Sequence, residues 1–220
     1  MMNHNSLKLP ISILITGMIC CFTHSALADG NNIDKVYHPY IQAMERELEY
    51  RIIAQDDEEE ELDNLLKHRF GLRYSPTGLF YIELYMLGED KSGESFEISA
   101  YELETKIQLT EQGEYWADWG LLFELEKEKD DSAWEFAGSV LIEKEWGKWV
   151  GAANLSLEYE WGRDIKNEIE GALALQTRYR LSRFLEPAVE FYSGEDTLGI
   201  GPVFMGQLRL GPMKKLHWET

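Results

Sequence analysis

The sequence predicts an all-β protein, an antiparallel up-and-down β-barrel whose strands are long enough to cross a membrane. Three observations predict it. Side chains alternate with period two and sort charge onto one strand face, tryptophans recur at a membrane-spanning strand length, and an export-type leader precedes a chain with no long apolar stretch.

In chain order the leader comes first. Residues 1–9 are polar with Lys8 as their one formal charge, residues 11–22 are apolar, and Ala26-Leu27-Ala28 has the small-x-small pattern that signal peptidases accept. The apolar run is far below the roughly 20 residues of a spanning helix. Neither Gly17-Met18-Ile19 before Cys20 nor Met18-Ile19-Cys20 before Cys21 makes a good lipidation box. The expected division is therefore a cleaved signal peptide over 1–28, cut between Ala28 and Asp29, and one barrel domain over 29–220.

Both cysteines fall in the leader, so the exported chain has no disulfide, no thiol nucleophile and no Cys-based metal site. It has 40 acidic and 20 basic side chains, a formal charge of −20 once Lys8 is removed. That balance argues against nucleic acid as a partner and against adhesion to anionic headgroups.

Alternation runs from about Tyr37 to the C-terminus. Leu48, Tyr50 and Ile52 alternate with Glu47, Glu49 and Arg51; Ile82 and Leu84 alternate with Glu83; Tyr101 and Leu103 alternate with Glu102, Glu104 and Lys106. The pattern continues with Phe123 and Leu125 against Glu124 and Glu126, then Leu155, Leu157 and Tyr159 against Glu158 and Glu160. Leu173, Leu175 and Tyr179 alternate with Arg178 and Arg180, and Glu190, Gln207 and Arg209 fall on the same polar parity. A helix would scatter these charges around its cylinder, whereas a strand puts them on one side.

Trp134 and Trp146 bracket one segment, and Trp149 and Trp161 bracket the next. Each spacing is even, so both indoles of a pair share a strand face. At about 3.3 Å per residue the spacing covers roughly 40 Å, or about 28 Å along a barrel axis at a 45° tilt. That is close to the ~25 Å apolar band between the aromatic girdles of outer-membrane barrels.

Ten complete strands and the start of an eleventh, at Lys214 to Thr220, can be counted. Single-chain barrels of this type have even strand numbers, so twelve are expected in the whole barrel, with the given chain stopping in mid-strand. Tight turns are expected at 75–78, 111–113, 147–148, 182–183 and 211–213. Longer charged links are expected at 56–64, 88–95, 126–132, 162–167 and 193–197, which would put tight turns on the periplasmic rim and acidic loops outside.

Three stretches resemble a known group. They are Glu45-Arg46-Glu47-Leu48-Glu49-Tyr50; Leu109-Thr110-Glu111 through Glu114-Tyr115-Trp116 to Gly120-Leu121; and Gly201-Pro202-Val203. They resemble a poorly characterised group of porin-like bacterial outer-membrane β-barrel proteins. The resemblance implies an envelope barrel and brings no catalytic residues, cofactor or substrate.

With the apolar faces against outer-membrane lipid, the charged parity lines the lumen. The expected function is a passive porin-like channel for small polar or cationic solutes, because an acidic lining focuses a field that favours cations. The alternative is a closed structural or surface-interaction barrel in which Glu and Arg pair across the bore. A soluble periplasmic barrel holding an apolar ligand is a third reading. Asp56 to Glu61 is the densest charge run and lacks the register of a calcium loop, which favours a solvated loop. His38, His68 and His217 have neither metal spacing nor a serine motif, so no catalytic residue, metal site or cofactor is expected. A spatially assembled barrel lipase or acyltransferase stays open as a minor alternative.

Overall fold

The computed structural model describes residues 35–55, 65–90, 95–129, 132–163, 165–195, 198–212 and 214–220. The predicted leader, its Ala28/Asp29 cleavage point and the acidic run Asp56 to Glu61 lie outside the described residues.

The alternating segments form eleven strands. They are β1 (Arg46–Gln55), β2 (Leu65–Tyr74), β3 (Phe80–Asp90), β4 (Glu97–Gln108), β5 (Asp118–Glu128), β6 (Trp134–Trp146), β7 (Trp149–Trp161), β8 (Glu168–Tyr179), β9 (Glu186–Ser193), β10 (Leu198–Gly211) and β11 (Lys214–Glu219). All belong to one antiparallel sheet in which each strand pairs with its sequence neighbours, from β1 through to β11. This is the predicted up-and-down order.

The eleven strands are not closed into a barrel. Among the described residues β1 and β11 each pair on one side. Strand parity gives the reason: in an antiparallel series the first and eleventh strands point the same way, so no antiparallel ladder joins them.

Strand β6 begins and ends on Trp134 and Trp146, and β7 on Trp149 and Trp161, the four positions picked out by spacing. The register sets Trp134 opposite Trp161 and Trp146 opposite Trp149. The Trp134 and Trp161 rings stack 6.4 Å apart, while Trp149 meets Tyr179 edge-on at 4.9 Å. Between Trp146 and Trp149 the two-residue turn needs Gly147, whose φ of 65° suits the right-handed twist of a tight hairpin.

Connection lengths differ less between the two rims than the sequence suggests. The β4–β5 link, residues 109–117, is as long as the β1–β2 link, residues 56–64. Its own hydrogen bonds hold it: Gly113 at φ 77° donates N–H to Asp118 Oδ1 at 2.8 Å, and Trp119 donates N–H to Thr110 Oγ1 at 2.8 Å.

Strand one also starts later than its alternation suggests. Residues 35–45 are not a strand; β1 begins at Arg46. Pro39 offers no N–H to a ladder, and Met44 turns the chain at φ 62° just before β1. The segment is laid against the inner face of the sheet. Its side chains and backbone reach β1, β3, β4, β5, β6 and β7, and Val36 packs with Ala152 of β7 and Tyr192 of β9, so the sheet curls round it.

Close packing inside this curl uses particular glycines. A Cβ on Gly71 would lie 2.5 Å from Tyr85 and 2.6 Å from Glu83 Oε1, whereas one on Gly201 would meet nothing within 4 Å. Gly71→Ala is expected to lower unfolding stability by about 1–3 kcal/mol through overpacking. Gly201→Ala should leave the denaturation midpoint within error, and urea titration of the two variants side by side checks the contrast.

Candidate functional site

The candidate site is the inner face, where side chains that a water-soluble protein leaves outside are buried. Along β3, Tyr81, Glu83 and Tyr85 are 2%, 0% and 3% exposed, while Ile82 and Leu84 between them are 46% and 60% exposed. The same inversion recurs on β4, where Glu102, Glu104 and Lys106 are buried and Tyr101 and Leu103 face out. Glu47 and Glu49 of β1, Glu124 and Glu126 of β5, Glu158 and Glu160 of β7, and Arg178 of β8 are half-buried on this face; Arg180, just beyond β8, is also half-buried, and Glu190 of β9 is buried. Arg209 is the exception: it is exposed, next to the irregular step where β10 and β11 shift register.

These charges are paired through a few arginines. Arg73 donates Nη1–H to Glu47 and Nε–H to Glu83, both at 2.6 Å, and its guanidinium lies over the Tyr81 ring at 4.3 Å. Arg69 donates to Glu102 at 2.7 Å and lies 3.7 Å from Glu104. Arg180 donates to Glu145 at 2.5 Å, and Arg178 lies between Glu143 and Glu186 at 3.7 and 3.6 Å. Across β8 and β9, Gln176 donates to Glu190 at 2.6 Å, and Tyr192 donates to its other oxygen at 2.7 Å.

The remaining donors come from residues 35–45. Lys35 donates to Glu49 at 3.0 Å and 3.1 Å. Tyr37 donates its hydroxyl to Glu104 at 2.6 Å, and Tyr81 donates to that carboxylate as well. The Tyr37 peptide is held on both sides: its N–H reaches Asn154 Oδ1 at 2.7 Å, and Asn154 Nδ2–H reaches its carbonyl at 2.9 Å. His38 Nδ1 is 2.5 Å from Glu143, whose side chain is fully buried. Lys106 Nζ donates to the His38 carbonyl at 2.7 Å, and the Ile41 N–H to Gln108 Oε1 at 2.8 Å. Tyr40 donates to Asp118 at 2.6 Å; burial first, and then that carboxylate, push its hydroxyl well above the ordinary tyrosine range, so it stays a donor.

Room for the segment is built into the wall. A Cβ on Gly120 would lie 3.0 Å from Pro39, so only glycine lets the proline ring approach β5 so closely. Above Tyr37 a cavity of about 720 Å³ opens, floored by Lys35, Tyr37 and Asn154. Its walls carry Glu102, Glu124, Glu126, Glu135 and Glu158 against Lys67 and Arg69.

Glu102, Glu104 and Glu124 bring one oxygen each to within 4.8 Å of one another. Arg69 pairs with Glu102 and Glu104, and the Tyr37 and Tyr81 hydroxyls donate to Glu104. Of the histidines, His38 is in the inner segment. His68 packs with Tyr50, whose hydroxyl is 3.0 Å from its Nδ1, and with the Phe96 ring edge-on at 5.5 Å. His217 stands opposite Gln207 on β11.

Sequence reasoning singled out most of the acids and, among their partners, Lys106, Arg178 and Arg180, but it missed Arg69 and Arg73. Arg69, Arg73, Glu143 and Asn154 share the inward parity of their strands, and that parity could have found them. Nothing local marks residues 35–45 as inner-face ligands except Pro39, which offers no N–H to a ladder. No protein family, curated protein or solved structure matches the chain.

Arg73→Met should cost about 3–5 kcal/mol, because it leaves the Glu83 carboxylate buried with its nearest donor gone. Adding Glu83→Gln to that variant should recover part of the loss. A thermal or urea double-mutant cycle measures both.

Proposed function

We propose that this protein is a bacterial outer-membrane β-barrel whose bore is closed by its own N-terminal segment, an envelope barrel of structural or surface-interaction type. One observation carries the reading: the inversion of polarity across the sheet. Leu48, Leu84, Leu157, Ile169 and Ile200 are each 60–69% exposed on the outer face, while Glu83, Glu104 and Glu143 are 0% exposed within. In water such a belt would be a large adhesive patch; against hydrocarbon it is the favourable face.

Two further points support it. The two Trp–Trp pairs lie at opposite ends of the β6–β7 hairpin, where aromatic girdles belong. The resemblance noted in the sequence points to the same class. The 720 Å³ cavity mixes carboxylates with Ile53, Leu87, Ile98, Leu122 and Leu173, and its charged share fits an apolar ligand carried by a soluble barrel poorly. It is also what favours the second reading, a channel for small cationic solutes, once the bore is clear.

The protein is expected in the outer-membrane fraction, folded in a form whose gel mobility shifts on boiling. Leu155→Arg, midway between Trp149 and Trp161, should weaken insertion into lipid vesicles by about 2–4 kcal/mol. Recovery of the unmodified protein in the soluble periplasmic fraction would refute the barrel. In planar bilayers the intact protein should be nearly silent, and large steady conductance would favour the open channel.

A further inference from the structure

We propose that the inner wall is a binding site for an extended peptide, occupied in cis by residues 35–43, and that this occupancy keeps the bore shut. The inference rests on the membrane-barrel reading for its channel consequence and on the inner-face geometry for the binding itself.

The contacts are of the kind that read a peptide main chain. Asn154 brackets the Tyr37 peptide with two bonds, at 2.7 and 2.9 Å. Gln108 accepts the Ile41 N–H, and Lys106 donates to the His38 carbonyl. These wall residues come from β7 and β4, so the segment is gripped from two sides of the curl. Between the main-chain contacts the wall offers a carboxylate to each side chain that can donate. Glu104 takes Tyr37, Glu143 takes His38 and Asp118 takes Tyr40. Gly120 clears the place where Pro39 packs. The ligand class is therefore an extended peptide with aromatic or basic side chains that donate to carboxylates, and with a proline at the narrow point.

A bound segment of this kind is separable from the sheet. It adds no strand to the ladder and is held by side chains, so releasing it leaves every inter-strand backbone pair intact. Its departure would uncover Glu104, Glu143 and Asp118 below the acidic cavity, a continuous acidic path that favours cations.

The test uses the full chain with residues 35–43 deleted, beside the full-length Asn154→Ala variant. A fluorescent nonapeptide of sequence Lys-Val-Tyr-His-Pro-Tyr-Ile-Gln-Ala is titrated into the folded deletion protein in detergent, with folding checked by heat-shifted gel mobility. Saturable binding is expected, weakened by about tenfold or more when Asn154→Ala is added to the deletion. In planar bilayers the deletion protein should conduct with preference for cations, and the nonapeptide but not a scrambled one should block it. Should the deletion protein misfold, Asn154→Ala alone is expected to show intermittent conductance where the intact protein is silent. No peptide binding by a folded deletion protein, or silence in both folded variants, overturns the proposal. Peptide binding by a protein that does not enter vesicles would keep the site and overturn the membrane reading instead.

Discussion

Three carboxylates fully hidden from solvent, Glu83, Glu104 and Glu143, set the terms for the rest of the inner face. A buried carboxylate is tolerated only with charge or hydrogen-bond partners at hand, and two strand neighbours of like sign make the demand greater. Glu83 stands directly opposite Glu104, which in turn stands opposite Glu124. Arg73, Arg69 and Lys106 project between these acids, and Tyr81 and Tyr85 bring rings that cover the guanidinium groups. The aromatic faces matter here because they let a cation lose water without losing all of its favourable contacts.

The wall alone does not meet that demand. Glu104 draws one of its donors from Tyr37, Glu143 from His38, and Asp118 from Tyr40, all in a stretch that belongs to no strand. The acids and the segment therefore explain one another. The segment is held inside because carboxylates await it, and the carboxylates can be buried there because it supplies donors. Gly120 and Pro39 fit the same logic from the side of shape.

This division also explains what could be read from the amino-acid order. Strand faces depend on a period of two, which Ile82-Glu83-Leu84 or Tyr101-Glu102-Leu103 displays without any knowledge of the fold. Tryptophan spacing marked the ends of β6 and β7 for the same reason, since both indoles of a strand must lie on its outer face. Pairing partners are another matter. Arg180 meets Glu145, and His38 meets Glu143, across separations that only the curl of the sheet brings together. Residues 35–45 carry Val36, Tyr37, Tyr40 and Ile41, residue types that also begin strands, and only tertiary contacts assign them to the interior.

The segment has one more consequence for the two edges that the backbone does not join. Lys35 bonds Glu49 on β1, while Lys215 on β11 donates to Gln42 at 3.0 Å. The same short stretch thus touches the first and the last strand, which run parallel and share no ladder. Side-chain contacts of this kind are weaker per bond than a ladder and tolerate small changes in spacing. They can hold the two edges near one another without a shared ladder. Filling of the curl and contact with both edges are therefore one arrangement, produced by a single piece of chain held between acidic walls.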